Sequence, residues 1–179
     1  HSVGGHFIGL APNHARISKH AFIAVGVGRV LAHKPQFMLP ALTLWWLLGP
    51  WSTATKGYVK PGRLWRGEPL PQAVFVDWRR WAHKANYFKD ELEAGELGPS
   101  YYGSVTAPIR SWLFSDDPIA KQKAADQLLE VYPAAPKQST MIKQSSYGLK
   151  AIGHDGFFRP RAKMLWEEVW QWLQAEDTA

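Results

Sequence analysis

Cysteine is absent from this chain of 179 residues, so neither disulfides nor thiolate metal sites can hold it together. The seven histidines show no H-E-x-x-H or comparable ligand spacing, and no metal or cofactor is expected. A Lys/Arg-rich run is missing too: the net charge of +6 is scattered, which leaves nucleic-acid binding without specific support. Long hydrophobic runs are equally lacking. The longest, FMLPALTLWWLLGPW from Phe37 to Trp51, is broken by Pro40 and by Gly49-Pro50 and falls short of the roughly 20 residues a membrane span needs. It reads as a buried or interfacial helix. The opening HSVGG lacks the charged-then-apolar pattern of a secretory leader, so a cytoplasmic location is expected. Neither an internal repeat nor a low-complexity segment occurs.

What is present suits a folded domain. The length is one domain's worth, and 46% hydrophobic with 13% aromatic residues can bury a sizeable core. From Val3 to Ala15, small and apolar residues suit a helix packed closely under a sheet. The run AFIAVGVG from Ala21 fits a strand covered on both faces. Between about residues 29 and 103 the character changes: six of the ten tryptophans fall between Trp45 and Trp81, and prolines and glycines interrupt every periodic segment. That stretch reads as an irregular helical insertion. Order then returns with APIRSWLFSDD as a strand and acidic turn and PIAKQKAADQLLEVYP as a helix opened by Pro118. An extended piece around 139–153 and a last helix from about Arg161 to Ala175 follow. The sum is β-α, insertion, β-α-β-α.

Three residues carry the side chains of nucleophilic catalysis in a recognised order: Ser2, Asp117 and His154. HSVGG matches the nucleophile elbow G-x-S-x-G except for the first glycine, and LFSDDP and AIGHDGFF fall at expected strand ends. Each residue also has a plain structural reading. Ser2 can be a helix N-cap, Asp117 can cap the helix at Pro118, and His154 can be a structural histidine beside Asp155. Asp116 competes with Asp117, since a one-residue shift at a strand end changes which carboxylate points inward. His6, His14, His20, His33 and His83 read as surface or local-packing residues.

WLFSDDPIA resembles the strand-then-acid turn of the α/β-hydrolase fold. IGHDGFFR followed by LWEEVWQWL resembles the histidine loop and last helix of a bacterial family of predicted α/β-hydrolases. The resemblance implies Ser2 as nucleophile, Val3 N–H as one oxyanion donor, Asp117 as acid and His154 as base. It also implies that the chain is the C-terminal half of such an enzyme, with the first elbow glycine, its strand and the earlier strands missing.

The expected fold is therefore α/β: about three strands of a hydrolase sheet with flanking helices (1–29 and 104–179) and an inserted helical Trp-rich cap (30–103). The expected activity is cleavage of a carboxylic ester or related acyl bond in a small apolar or aromatic substrate through an acyl-enzyme. Trp45 and Trp46 are candidate substrate-binding residues. Neighbours on a helix diverge by about 100°, so only one of the two can face inward. The rival reading is a non-catalytic half-hydrolase or interaction module that binds a partner or makes a weak membrane-surface contact.

Overall fold

The computed structural model describes residues 1–32, 35–63 and 67–175; His33 lies outside them. The chain forms two compact units, one of His1–Val27 with Glu91–Ala179 and the other Gly28–Asp90.

The first unit is built on a parallel three-stranded sheet. Its strands are β1 (His20–Ile23), β4 (Ile109–Phe114) and β5 (Lys137–Ile142), in the order β1-β4-β5. The strands β2 (Tyr58–Val59) and β3 (Leu70–Pro71) form a separate antiparallel pair in the second unit. Ile109 is in register with His20 on one side and Lys137 on the other. As the central strand, β4 is buried at every residue except Ile109's neighbour Arg110, as expected for a parallel strand covered on both faces. Its Trp112, Leu113 and Phe114 join Ile23, Ile142, Ile152 and Leu165 in one apolar core.

Two helices flank this sheet. Helix α5 (Gln122–Leu129) presents Ala124, Ala125, Leu128 and Leu129 to the interior, and α6 (Lys163–Gln174) buries Leu165 and Val169. In each helix the buried positions recur at helical spacing, four residues apart, while Met164 and Leu173 of α6 are exposed. The second unit holds α1 (Pro35–Thr43), α2 (Gly49–Lys56) and α3 (Gln72–His83), with the short α4 (Lys89–Glu93) spanning the boundary in sequence. A π-helical turn, Leu44–Leu48, joins α1 to α2.

Local chemistry shifts several expected boundaries. In place of one helix over 3–15 there are three 3-10 turns, Ser2–His6, Ile8–Leu10 and His14–Arg16. Pro12 explains one break: a residue preceding proline avoids the helical region, and Ala11 is extended at φ −80°, ψ 117°. Within the apolar run from Ala21, Phe22 to Val25 and Val27 are buried, but the strand ends at Ile23, and Ala24 turns to φ 52°. Helix α5 starts at Gln122 rather than Pro118. Asp117 Oδ1 accepts the N–H groups of Ile119 (2.7 Å) and Ala120 (3.2 Å), so the acid closes a local turn before the helix begins.

Candidate active site

Ser2 lies at the head of the first 3-10 turn with φ 50°, a left-handed conformation uncommon for any residue but glycine. Such a backbone costs on the order of 1–3 kcal/mol and persists only where surrounding structure holds it. Here the support is visible. Tyr132 Oη donates to Gly5 O at 2.9 Å, Tyr102 Oη donates to His6 O at 2.6 Å, and the buried His6 ring joins Gly26 O through Nε2 at 2.9 Å. A Cβ on Gly5 would stand 2.5 Å from Val25 Cγ1, whereas one on Gly4 would meet nothing within 4 Å. Close packing of the turn thus depends on the second glycine of HSVGG.

Asp117 follows β4 and is almost fully buried. Both of its oxygens are engaged, Oδ1 by the two backbone donors of its own turn and Oδ2 by His154 Nδ1 at 2.9 Å. A carboxylate only accepts, so Nδ1 carries the proton and Nε2 is left as an acceptor. Ser2 Oγ lies 2.8 Å from that Nε2 and donates to it. Residues 152 and 115 positions apart in sequence therefore meet in one hydrogen-bonded line, Ser2 to His154 to Asp117.

Asp116 points elsewhere. Its Oδ2 accepts Ile152 N–H at 2.8 Å, pinning the loop that carries His154 while Ile152 itself enters the core. Gly153, at φ 63°, supplies the left-handed turn directly before the histidine. Val3 is the second residue of the Ser2–His6 turn, and the first N–H groups of any helix lack an intrahelical acceptor.

Sequence inspection overlooked His1, Tyr102 and Tyr132. His1 Nε2 donates to His154 O at 3.0 Å, and its ring packs against those of His154 and Phe158. No periodic signal marks these residues, because each acts across a long stretch of chain.

His1, His154 and Asp155 form a group, among the described residues, whose ligand atoms all lie within 4.8 Å of one another. His154 already spends both ring nitrogens on Asp117 and Ser2, so a metal there would have to displace Ser2. A cavity of about 330 Å³ lined by His14, Ile17, Ser104 and Pro108 opens at the N-terminal ends of β1 and β4, away from the strand ends that carry Asp117 and His154.

Trp45 and Trp46 diverge. Trp45 is 7% exposed, stacked on Phe75 and edge-on to Trp78, inside the core of the second unit. Trp46 is 60% exposed, donates Nε1–H to His83 Nε2 at 2.9 Å and lies under the Arg79 guanidinium at 5.1 Å.

No protein-family model matches the chain, and no curated protein matches it by sequence. Solved structures do. A soluble variant of monoglyceride lipase from Saccharomyces cerevisiae, crystallised with a substrate analog, aligns with TM-score 0.60 at 14% identity over 97% of this chain and 59% of its own. Monoacylglycerol lipase from Paleococcus ferrophilus gives 0.49 at 16%, over 97% and 65%. An N-acyl homoserine lactone degrading enzyme gives 0.44 at 15%, over 95% and 64%. This chain thus spans roughly three fifths of the length of the first of these. The chain has an α/β fold built on a parallel sheet, and it shares that fold with the first of these structures over nearly its whole length. Among the described residues no helix is long and apolar enough to cross a membrane.

Proposed function

We propose that this chain carries the catalytic residues of a serine hydrolase acting on a carboxylic ester or related acyl bond. The observation that carries the reading is the line Ser2 Oγ, His154 Nε2, His154 Nδ1, Asp117 Oδ2, with contacts of 2.8 and 2.9 Å. A hydroxyl is a weak nucleophile near neutral pH, so His154 Nε2 takes the Ser2 proton as Oγ forms a bond to the acyl carbon. Asp117 keeps the proton on Nδ1 before the attack and stabilises the imidazolium after it. The imidazolium then protonates the departing alcohol as the carbon–oxygen bond breaks, which leaves an acyl-Ser2. Water then attacks the acyl carbon as His154 takes its proton, the bond to Ser2 Oγ breaks as the imidazolium returns that proton to Oγ, and the carboxylic acid leaves.

Charge builds on the carbonyl oxygen during both steps, and Val3 N–H is the donor proposed to receive it. One such donor is worth roughly 3–4 kcal/mol of transition-state stabilisation. The left-handed Ser2 supports the reading, because backbone strain collects where a side chain must be presented. The lipase likeness at the level of fold is consistent with an apolar acyl group. Of the two candidate tryptophans, Trp45 is committed to the core of the second unit, whereas Trp46 is exposed.

Labelling with a fluorophosphonate tests the assignment directly. An adduct on Ser2, mapped by mass spectrometry and lost in both Ser2→Ala and His154→Ala, is expected. A wild-type protein that stays unlabelled while folded would overturn it.

A further inference from the structure

Scattered along the sequence as they are, the charges do not balance evenly between the two units. Residues 28–90 carry ten Lys and Arg against three Asp and Glu, a net +7, while the rest of the chain carries eleven against twelve, a net −1. No acidic residue precedes Glu68. The whole excess therefore sits in the second unit, and that same unit exposes a large apolar surface.

The helical stretch from Pro35 to Lys56 is apolar all round. One side is spent on packing: Ala41, Leu44 and Trp45 lie in or against the unit's core, and Gly49, Ser52 and Thr53 are buried. The other side, at the same helical spacing, presents Leu39 (73% exposed), Trp46, Leu47 (64%) and Trp51 (63%). Its hydroxyls add little polarity, since Thr43 Oγ1 donates to Leu39 O at 2.9 Å and Thr55 Oγ1 to Trp51 O at 2.8 Å. Hydroxyls turned back on their own helix are compatible with an apolar surrounding. A helix with apolar residues on every side is normally covered or in contact with lipid. Its apolar part, Phe37 to Trp51, is shorter than a bilayer span, and no helix among the described residues is long and apolar enough to cross a membrane, so the stretch would lie in the interface.

Cations follow the apolar stretch closely in sequence, and one lies against it. Lys56 ends α2, Lys60 and Arg63 follow it in exposed positions, and Arg79 rests over the Trp46 ring at 5.1 Å. Exposed Leu and Trp flanked by Lys and Arg, with acidic residues nearly excluded, match an anionic bilayer surface in both polarity and charge. A second copy of the chain fits poorly, because it would bring one +7 unit against another.

We propose that the second unit docks the protein on anionic lipid bilayers through Leu39, Leu47 and Trp51, with Lys56, Lys60 and Arg63 pairing to lipid headgroups. This deepens the acyl-ester reading by supplying an interface at which apolar substrate is presented, yet it is measured without catalysis.

The test uses the full chain with Ser2→Ala, so that a failed hydrolase assignment cannot affect it. Binding is followed by co-sedimentation with vesicles of phosphatidylcholine alone or mixed with an equal part of phosphatidylglycerol. Wild-type surface residues should give strong binding to the mixed vesicles at low salt, weak binding to the neutral ones, and release at high salt. Lys56→Gln/Lys60→Gln/Arg63→Gln should weaken binding to the mixed vesicles by roughly 100-fold, at about fivefold per charge. Leu39→Ser/Leu47→Ser/Trp51→Ser should abolish it while leaving the circular dichroism and thermal transition unchanged; should that variant misfold, the charge variant alone decides. Equal binding to both vesicle types, binding that neither variant weakens, or a loss of self-association as the sole effect of the apolar variant would overturn the proposal.

Discussion

Asp117 Oδ2 stands 2.9 Å from His154 Nδ1, while the adjacent carboxylate, Asp116, accepts the N–H of Ile152 and never reaches the imidazole. Two neighbouring acids at one strand end have thus been given different work.

That difference predicts a ranking. Asp117→Asn keeps the shape but offers an amide where Nδ1–H needs an acceptor, favouring the wrong tautomer, and should lower kcat for a model ester by on the order of 10⁴-fold. Asp116→Asn retains an oxygen for Ile152 N–H and should cost less than about tenfold. Steady-state hydrolysis of p-nitrophenyl esters measures both, and the reverse ranking would move the acid by one residue.

Ser2 and His154 are proposed to act as a unit, so their losses should not add. Ser2→Ala, His154→Ala and the double variant should fall to rates within a few-fold of one another. Near-normal turnover by Ser2→Ala would remove it as nucleophile.

His6 makes stability depend on pH. Burial lowers its pKa from 6.5 to about 4, only partly offset by the hydrogen bond to Gly26 O. The unfolded chain therefore takes up a proton near pH 6.5 that the folded chain refuses until near pH 4. Its contribution is intact above pH 6.5 and is lost as the pH falls from 6.5 towards 4, by about 3 kcal/mol in all. His20 is also lowered, by burial and then by His14, and acts in the same direction. Urea denaturation across this range should show a flatter pH dependence for His6→Gln than for wild type; an unchanged slope would show that acid sensitivity resides elsewhere.

The tryptophan pair should split by stability. Trp45→Ala removes a ring stacked on Phe75 in the core and should cost roughly 3–5 kcal/mol in chemical denaturation. Trp46→Ala, at an exposed position, should cost less than about 1 kcal/mol and instead alter chain-length preference among esters. Equal destabilisation with a fixed preference would mark both as packing residues.

Much of this architecture was legible in the sequence because it is local. The spacing of Ala124, Ala125, Leu128 and Leu129 announces a helix with one apolar face, and the continuous apolar run from Ala21 announces a covered strand, since both follow from local sequence pattern alone. Divergence of Trp45 from Trp46 follows from the same geometry. The order of Ser2, Asp117 and His154 marked where to look, but which carboxylate meets the imidazole was decided by tertiary structure. A strand end points its side chains according to the register and turn that follow it, and here the turn closed by Asp117 Oδ1 and the loop held by Asp116 set both directions. The start of α5 four residues after Pro118 has the same cause. Only the fold, too, brings Tyr102 and Tyr132 from about a hundred residues away to the carbonyls of His6 and Gly5, and so holds Ser2 in its left-handed conformation. Periodicity encodes which face of an element is apolar; it carries no record of which distant donor will satisfy a given backbone carbonyl.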